Sequence, residues 1–128
     1  MPATASAVHL DCISQVAITV GDLARAKAFY RDALGIPFLF DTGTMAFFQC
    51  GSIRLLIGAS DQPVAPSGTI LYFKVADIDA TYAALVVAGV IFPQPPHLVA
   101  RMPDHELWLA EFMDPEGNPL ALLSEKRP

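Results

Sequence analysis

The strongest constraint on this chain is that it repeats itself. The stretch QVAITVGDLARAKAFYRDALGI, from Gln15, is answered by ILYFKVADIDATYAALVVAGV, from Ile70. Val20, Asp22 and Leu23 recur 55 positions later as Val75, Asp77 and Ile78. Each copy reads as a strand, a turn and a helix. Alternation puts Val16, Ile18 and Val20 on one strand face, and Gln15, Ala17 and Thr19 on the other. Asp22 and Asp77 are suited to cap helix N-termini, where a carboxylate accepts from unpaired backbone donors. Leu23, Ala26, Tyr30 and Leu34 follow at helical spacing in the first copy, as do Ile78, Tyr82 and Leu85 in the second. Gly35 and Gly89 then stand where a left-handed residue ends a helix at little cost. The second helix is one residue shorter than the first.

Short β-type runs follow each helix. In the first half they are IPFLFD, MAFFQC and IRLLIG, broken by Asp41-Thr42-Gly43 and Cys50-Gly51-Ser52. In the second half they are VIFPQ or HLVAR, then ELWLAEFM and LALLS, with the turn Asp114-Pro115-Glu116-Gly117-Asn118 before the last. The segment Ser60 to Gly68 is rich in Pro, Ser and Gly and reads as a linker. The expected fold is therefore α+β: two tandem βαβββ modules, about 13–59 and 69–124, in a single domain over residues 1–128. Neither module is large enough to bury its sheet alone, so the two must pack with each other or with a second chain.

Composition narrows the possible partners. With 53% hydrophobic and only 16% charged residues, the chain has apolar surface to hide in a ligand cavity or a subunit interface, and a homodimer is expected. The net charge is −5 and the eight Lys and Arg are scattered, which argues against nucleic acid. No apolar run approaches the ~20 residues that span a bilayer. The leader MPATASAVHLDC lacks a basic region followed by an apolar one, so no secretory signal is expected. Two cysteines, Cys12 and Cys50, make neither a disulfide framework nor a zinc cluster. A reduced, cytoplasmic protein is the simplest reading.

With these residues in place, the chain resembles the vicinal oxygen chelate superfamily, which includes glyoxalase I, extradiol dioxygenases, fosfomycin-resistance enzymes and bleomycin-resistance proteins. The resemblance runs through QVAITVGDLARAKAFYRDALG, FKVADIDATYAALVVAGV and FMDPEGNPLAL, from about Ile13 to Ser124. It implies that each module curls its sheet into a cup. Metal-binding members place four ligands there, typically His or Gln, Glu, His and Glu, on the first and last strand of each module. Carried over, those positions fall on Gln15, Arg54 (Leu56 if the register slips by two), Ile70 and Ala121. One carboxamide, one cation and two aliphatic groups do not hold a divalent ion, so no metal or other cofactor is expected.

Arg54 pointing into the cup would need an anion, either an organic ligand or an internal acid such as Glu111. A second concentration of chemistry is HLVARMPDHELWLAEF, from His97 to Phe112. Met102-Pro103-Asp104-His105 reads as a hairpin tip, which makes His105 a rim residue suited to acid–base work. Parity sets Trp108, Ala110 and Phe112 on one face, and Leu107, Leu109 and Glu111 on the other. Glu111 is then the lone charge of an apolar face and a candidate base. The expected ligand contacts are Gln15, Arg54, Tyr72, His97, Met102, Trp108 and Phe112, and the candidate catalytic groups are His105 and Glu111. A relocated metal site from His97, His105, Glu111 and Gln15 is the alternative.

The primary expectation is a glyoxalase/bleomycin-resistance-like protein that binds a small anionic or aromatic molecule without metal. The alternatives are a lyase, isomerase or dioxygenase-type enzyme using His105 or Glu111 as acid or base, with or without a relocated divalent metal, and a non-catalytic interaction domain.

Overall fold

The computed structural model describes residues 8–128. The reading of the leader as non-secretory rests largely on residues 1–7, which lie outside the described residues. The elements follow the repeat. Module one contains β1 (Gln15–Val20), α1 (Leu23–Ala28) with a π-helical continuation (Phe29–Ala33), β2 (Phe38–Asp41), β3 (Met45–Cys50) and β4 (Ile53–Ala59). Module two contains β5 (Leu71–Lys74), α2 (Ile78–Val87), β6 (His97–Arg101), β7 (Glu106–Met113) and β8 (Pro119–Lys126). Of the two runs weighed for the strand after α2, HLVAR is the one that forms it. VIFPQ is broken by its proline and stays irregular.

Each module builds one four-stranded sheet, in the orders β1-β4-β3-β2 and β5-β8-β7-β6. The first strand runs parallel to the last, and the other pairings are antiparallel. Parallel pairing requires a crossover, and the helix of each module supplies it. Asp22 accepts from the Arg25 amide at 3.1 Å and Asp77 from the Ala80 amide at 3.0 Å, so both caps form. Gly35 and Gly89 take the left-handed conformation that closes each helix, with φ of 71° and 93°.

The helices bury one face of each sheet. Ile18, Val20, Phe48, Leu55 and Ile57 of the first sheet join Ala110, Phe112, Leu120 and Leu122 of the second in one buried cluster. The extra residue of the first helix goes into its π-helical turn, where the Leu34 amide donates to the Phe29 carbonyl five residues back. That turn begins beside Tyr30, which is wholly buried.

The turn from Asp114 to Asn118 has a mechanical role, because it fastens the modules together. The Tyr30 hydroxyl donates to Asp114 Oδ2 at 2.8 Å. Asp114 also accepts from the amides of Glu116 and Asn118 and from the Asn118 side chain. Burial and the Asp114 charge hold the Tyr30 phenol well above its usual range. Glu116 reaches back to the start of α1, accepting from the amides of Gly21 at 2.6 Å and Asp22 at 2.7 Å. Those two bonds keep its carboxyl below the ordinary carboxylate range. The Asn118 side-chain oxygen Oδ1 accepts from the Ser67 amide at 2.8 Å and so ties down the linker. Among the described residues, no helix is long and apolar enough to cross a membrane.

Candidate functional site

The faces of the two sheets turned away from the helices are the places where polar chemistry collects. In the first sheet, cross-strand register sets three rows on that outer face. Gln15, Arg54 and Gln49 form one row, Ala17, Leu56 and Phe47 the next, and Thr19, Gly58 and Met45 the third. The sequence reading of Gln15 and Arg54 as neighbours on one face is what the register produces. Both are exposed, and Arg54 makes no ion pair among the described residues. Gln49 donates to the Gly51 carbonyl at 2.7 Å, which leaves one amide hydrogen and its oxygen for other partners. Phe47 stacks on Phe40 at 4.6 Å between centroids, with the planes 22° apart. Beside β1, the linker residues Pro63, Val64 and Ala65 face Ala17 and Thr19 across a depression of about 430 Å³.

The second sheet carries different groups on its outer face. Tyr72, Ala121 and Glu111 are in register across β5, β8 and β7. The His97 Nε2 atom lies 3.5 Å from Glu111 Oε1, while its Nδ1 atom lies 3.3 Å from the Pro95 carbonyl. A neutral imidazole has one N–H and can serve only one of these two oxygens, whereas the imidazolium serves both. Lys74 meets Glu125 at 3.4 Å farther along the face.

Several expectations are corrected by this placement. Arg54 does not pair with Glu111, whose close partner is His97. His105 does not hang over a cup mouth. Its ring is tucked in, with Nδ1 at 2.8 Å from Asp104 and Nε2 at 4.0 Å from Glu125. Arg127 and His105 together hold the Asp104 carboxyl down to about 2. His105 and Glu111 share a strand face but stand six residues apart, on the order of 20 Å at strand rise, so they cannot share one metal ion. Trp108 and Phe112 lie on the helix face rather than the outer one. Phe112 is buried against Phe92, and Trp108 sits beneath the Lys126 ammonium, 4.2 Å from the ring centroid. Neither presents a wall to the face carrying Arg54 and Gln15. Met102 lines a separate cleft of about 340 Å³ with Arg101, His105 and Arg127 at the β6–β7 hairpin. Tyr72 does reach the outer face and is half exposed. The sequence reading missed Gln49, Phe47 and Phe40, although alternation of MAFFQC from the Gln end would have set Gln49 and Phe47 on one face.

The register also decides the slipped alternative for the inherited ligand positions. Ala17 pairs with Leu56, and its repeat counterpart Tyr72 pairs with Ala121. Leu56 is thus the module-one equivalent of Ala121, and Arg54 lies two residues earlier. With either register, Gln15 is the sole metal-capable donor of the set, beside aliphatic groups and a guanidinium. That donor set does not fit a divalent ion. The relocated set does not assemble either: His97 meets Glu111, but His105 belongs to the hairpin cluster. No group of three His, Cys, Asp or Glu side chains among the described residues is arranged to hold a metal.

Comparison with known proteins agrees with this architecture. The chain is 30% identical over 122 residues to the uncharacterized protein YraH of Bacillus subtilis (strain 168), covering 81% of this chain and 91% of that protein. The fold matches lactoylglutathione lyase from Agrobacterium tumefaciens with a TM-score of 0.71 at 23% identity, over 89% of this chain and 93% of that one. It also matches a glyoxalase/bleomycin resistance protein/dioxygenase superfamily member from Sphaerobacter thermophilus, with a TM-score of 0.70 at 25% identity, over 91% and 98% of the two chains. Residues 12–122 match the family as a whole, and with the paired modules this shows that the chain belongs to the Glyoxalase/Bleomycin resistance protein/Dioxygenase superfamily.

Proposed function

We propose that the outer face of the first sheet, with the linker as its side wall, binds a small organic molecule directly, without a divalent metal between protein and ligand. One observation carries this reading. Arg54 presents a guanidinium on that face with no carboxylate partner among the described residues, set between the carboxamides of Gln15 and Gln49. A depression of about 430 Å³ adjoins the face, within the usual range for small-molecule sites. The inherited ligand positions lack the donors a metal needs, which favours direct contact. Dimerisation belongs to the same proposal: the outward side of α2 and the turn beyond it expose Val87 and Ile91, 89% and 81% accessible. Sedimentation of the purified chain measures that part.

The test combines elemental analysis with thermal shift on protein purified without chelators. The expected result is less than stoichiometric Ni, Zn, Mn and Fe, a melting point unmoved by chelator, and stabilisation by members of a panel of organic acids and aromatics. One metal per chain, with a melting point that falls on its removal, overturns the metal-free reading. No stabilisation across the whole panel overturns binding and favours an interaction domain. A second reading, acid–base catalysis, is favoured by the His97–Glu111 pair alone. Glyoxalase-type turnover that vanishes in both His97→Ala and Glu111→Gln would establish it.

A further inference from the structure

Resting on that reading and narrowing it, we infer that the ligand is an aromatic monocarboxylate, its carboxylate on Arg54 and its ring against Phe47 and Phe40. The row of Gln15, Arg54 and Gln49 offers a planar guanidinium flanked by two carboxamides. A guanidinium fork matches two coplanar oxygens, and each carboxamide retains an N–H to support them. The row holds one cation in a chain of net charge −5, which favours a singly charged anion over a dianion such as a phosphate monoester.

The ring position follows from the next row. Residues on one strand face repeat every ~6.6–7 Å, so an anion seated on Arg54 projects its other end over Leu56 and Phe47. That spacing suits an aryl acid with a short carbon spacer. Phe40 is half exposed and already stacked on Phe47, giving an aromatic edge that a ligand ring can extend. Ala17 and Gly58 keep the floor low beside it. A Cβ built on Gly58 would meet only the Leu56 side chain, at 3.8 Å. The linker residues Pro63, Val64 and Ala65 border the same sheet at its other edge, beside Ala17 and Thr19 of β1.

The experiment titrates the full chain with 3-phenylpropionate, its uncharged amide and hexanoate, read by backbone amide shifts and Kd. For wild type, 3-phenylpropionate should bind most tightly and shift amides in β1, β3 and β4. Arg54→Gln should weaken the acid about tenfold or more while leaving the amide unchanged. Arg54→Lys, which keeps the charge without the fork, should fall between. Phe47→Leu should weaken 3-phenylpropionate severalfold and hexanoate little. Dispersed spectra of each variant establish folding. Equal affinity for acid and amide, or an acid Kd indifferent to both Arg54 variants, overturns this inference; if the shifts still map to β1, β3 and β4, the binding reading above survives. Silence of all three compounds also overturns the aromatic-acid inference, and the wider thermal panel then decides whether binding itself falls.

Discussion

The two helices of the repeat begin alike and end differently. Both start at a capping aspartate after a strand, and both close at a left-handed glycine. α2 is regular to its end, and at the position corresponding to Tyr30 it places Leu85, an apolar core residue. α1 carries one more residue, absorbed as a π-helical turn, and places Tyr30 with its hydroxyl on Asp114. Duplicated backbones can thus differ in role: α2 only fills its module, while α1 also fastens the other one. The outer faces diverge in the same way. Module one presents a cation, two carboxamides and stacked phenylalanines; module two presents Tyr72, an imidazole–carboxylate pair and the Lys74–Glu125 ion pair.

The comparison can be broken most severely at Asp114. Asp114→Ala removes the acceptor shared by Tyr30 and Asn118 and orphans buried donors, with an expected loss of about 3–5 kcal/mol in urea denaturation. A loss below 1 kcal/mol would mean the clasp is ornamental. Leu85→Ala, the apolar counterpart, should cost about 2–4 kcal/mol as a cavity. Tyr30→Phe keeps the ring and loses only the hydrogen bond, and should cost about 1–2 kcal/mol. A Tyr30→Phe cost equal to that of Asp114→Ala would place the whole clasp in that single bond.

A pH series sharpens the role of Glu116. Its carboxyl is depressed in the fold by the Asp22 and Gly21 amides. A depressed carboxylate stabilises the fold above its unfolded value, ordinarily about 4.5, and that contribution is lost as pH falls through the folded value. Wild type should therefore lose stability below about pH 4.5 more steeply than Glu116→Gln. Parallel curves for the two proteins would remove Glu116 from the clasp. The smallest expected effect is Lys126→Met, which gives up both the cation over Trp108 and the exposed Asp79 ion pair for about 0.5–1 kcal/mol together. It tests whether the Trp108 face is sealed by that side chain.

Much of this was legible without coordinates. The repeat, the Asp caps, the closing glycines and the alternation of β1 are local, and local preferences write themselves into short stretches of residues. The parity that separates Glu111 from Trp108 was equally plain, yet the ligand wall was assigned to Trp108 and Phe112. Parity says which residues share a face, not which face the helices cover. The distance between His105 and Glu111 was also readable from strand rise, and the relocated metal set that joins them neglects it.

The chain by itself determined the repeated order of elements, their strand faces and the poverty of metal donors at the inherited positions, because each depends on residue type and short-range spacing. Tertiary structure alone decided the rest. It decided that the extra residue of α1 becomes a π turn, that Glu116 caps a module 95 positions away, and that Arg54 stands between Gln15 and Gln49 rather than on Glu111. Those outcomes depend on register and packing between segments far apart in the chain, where the energy of one arrangement over another belongs to the whole fold.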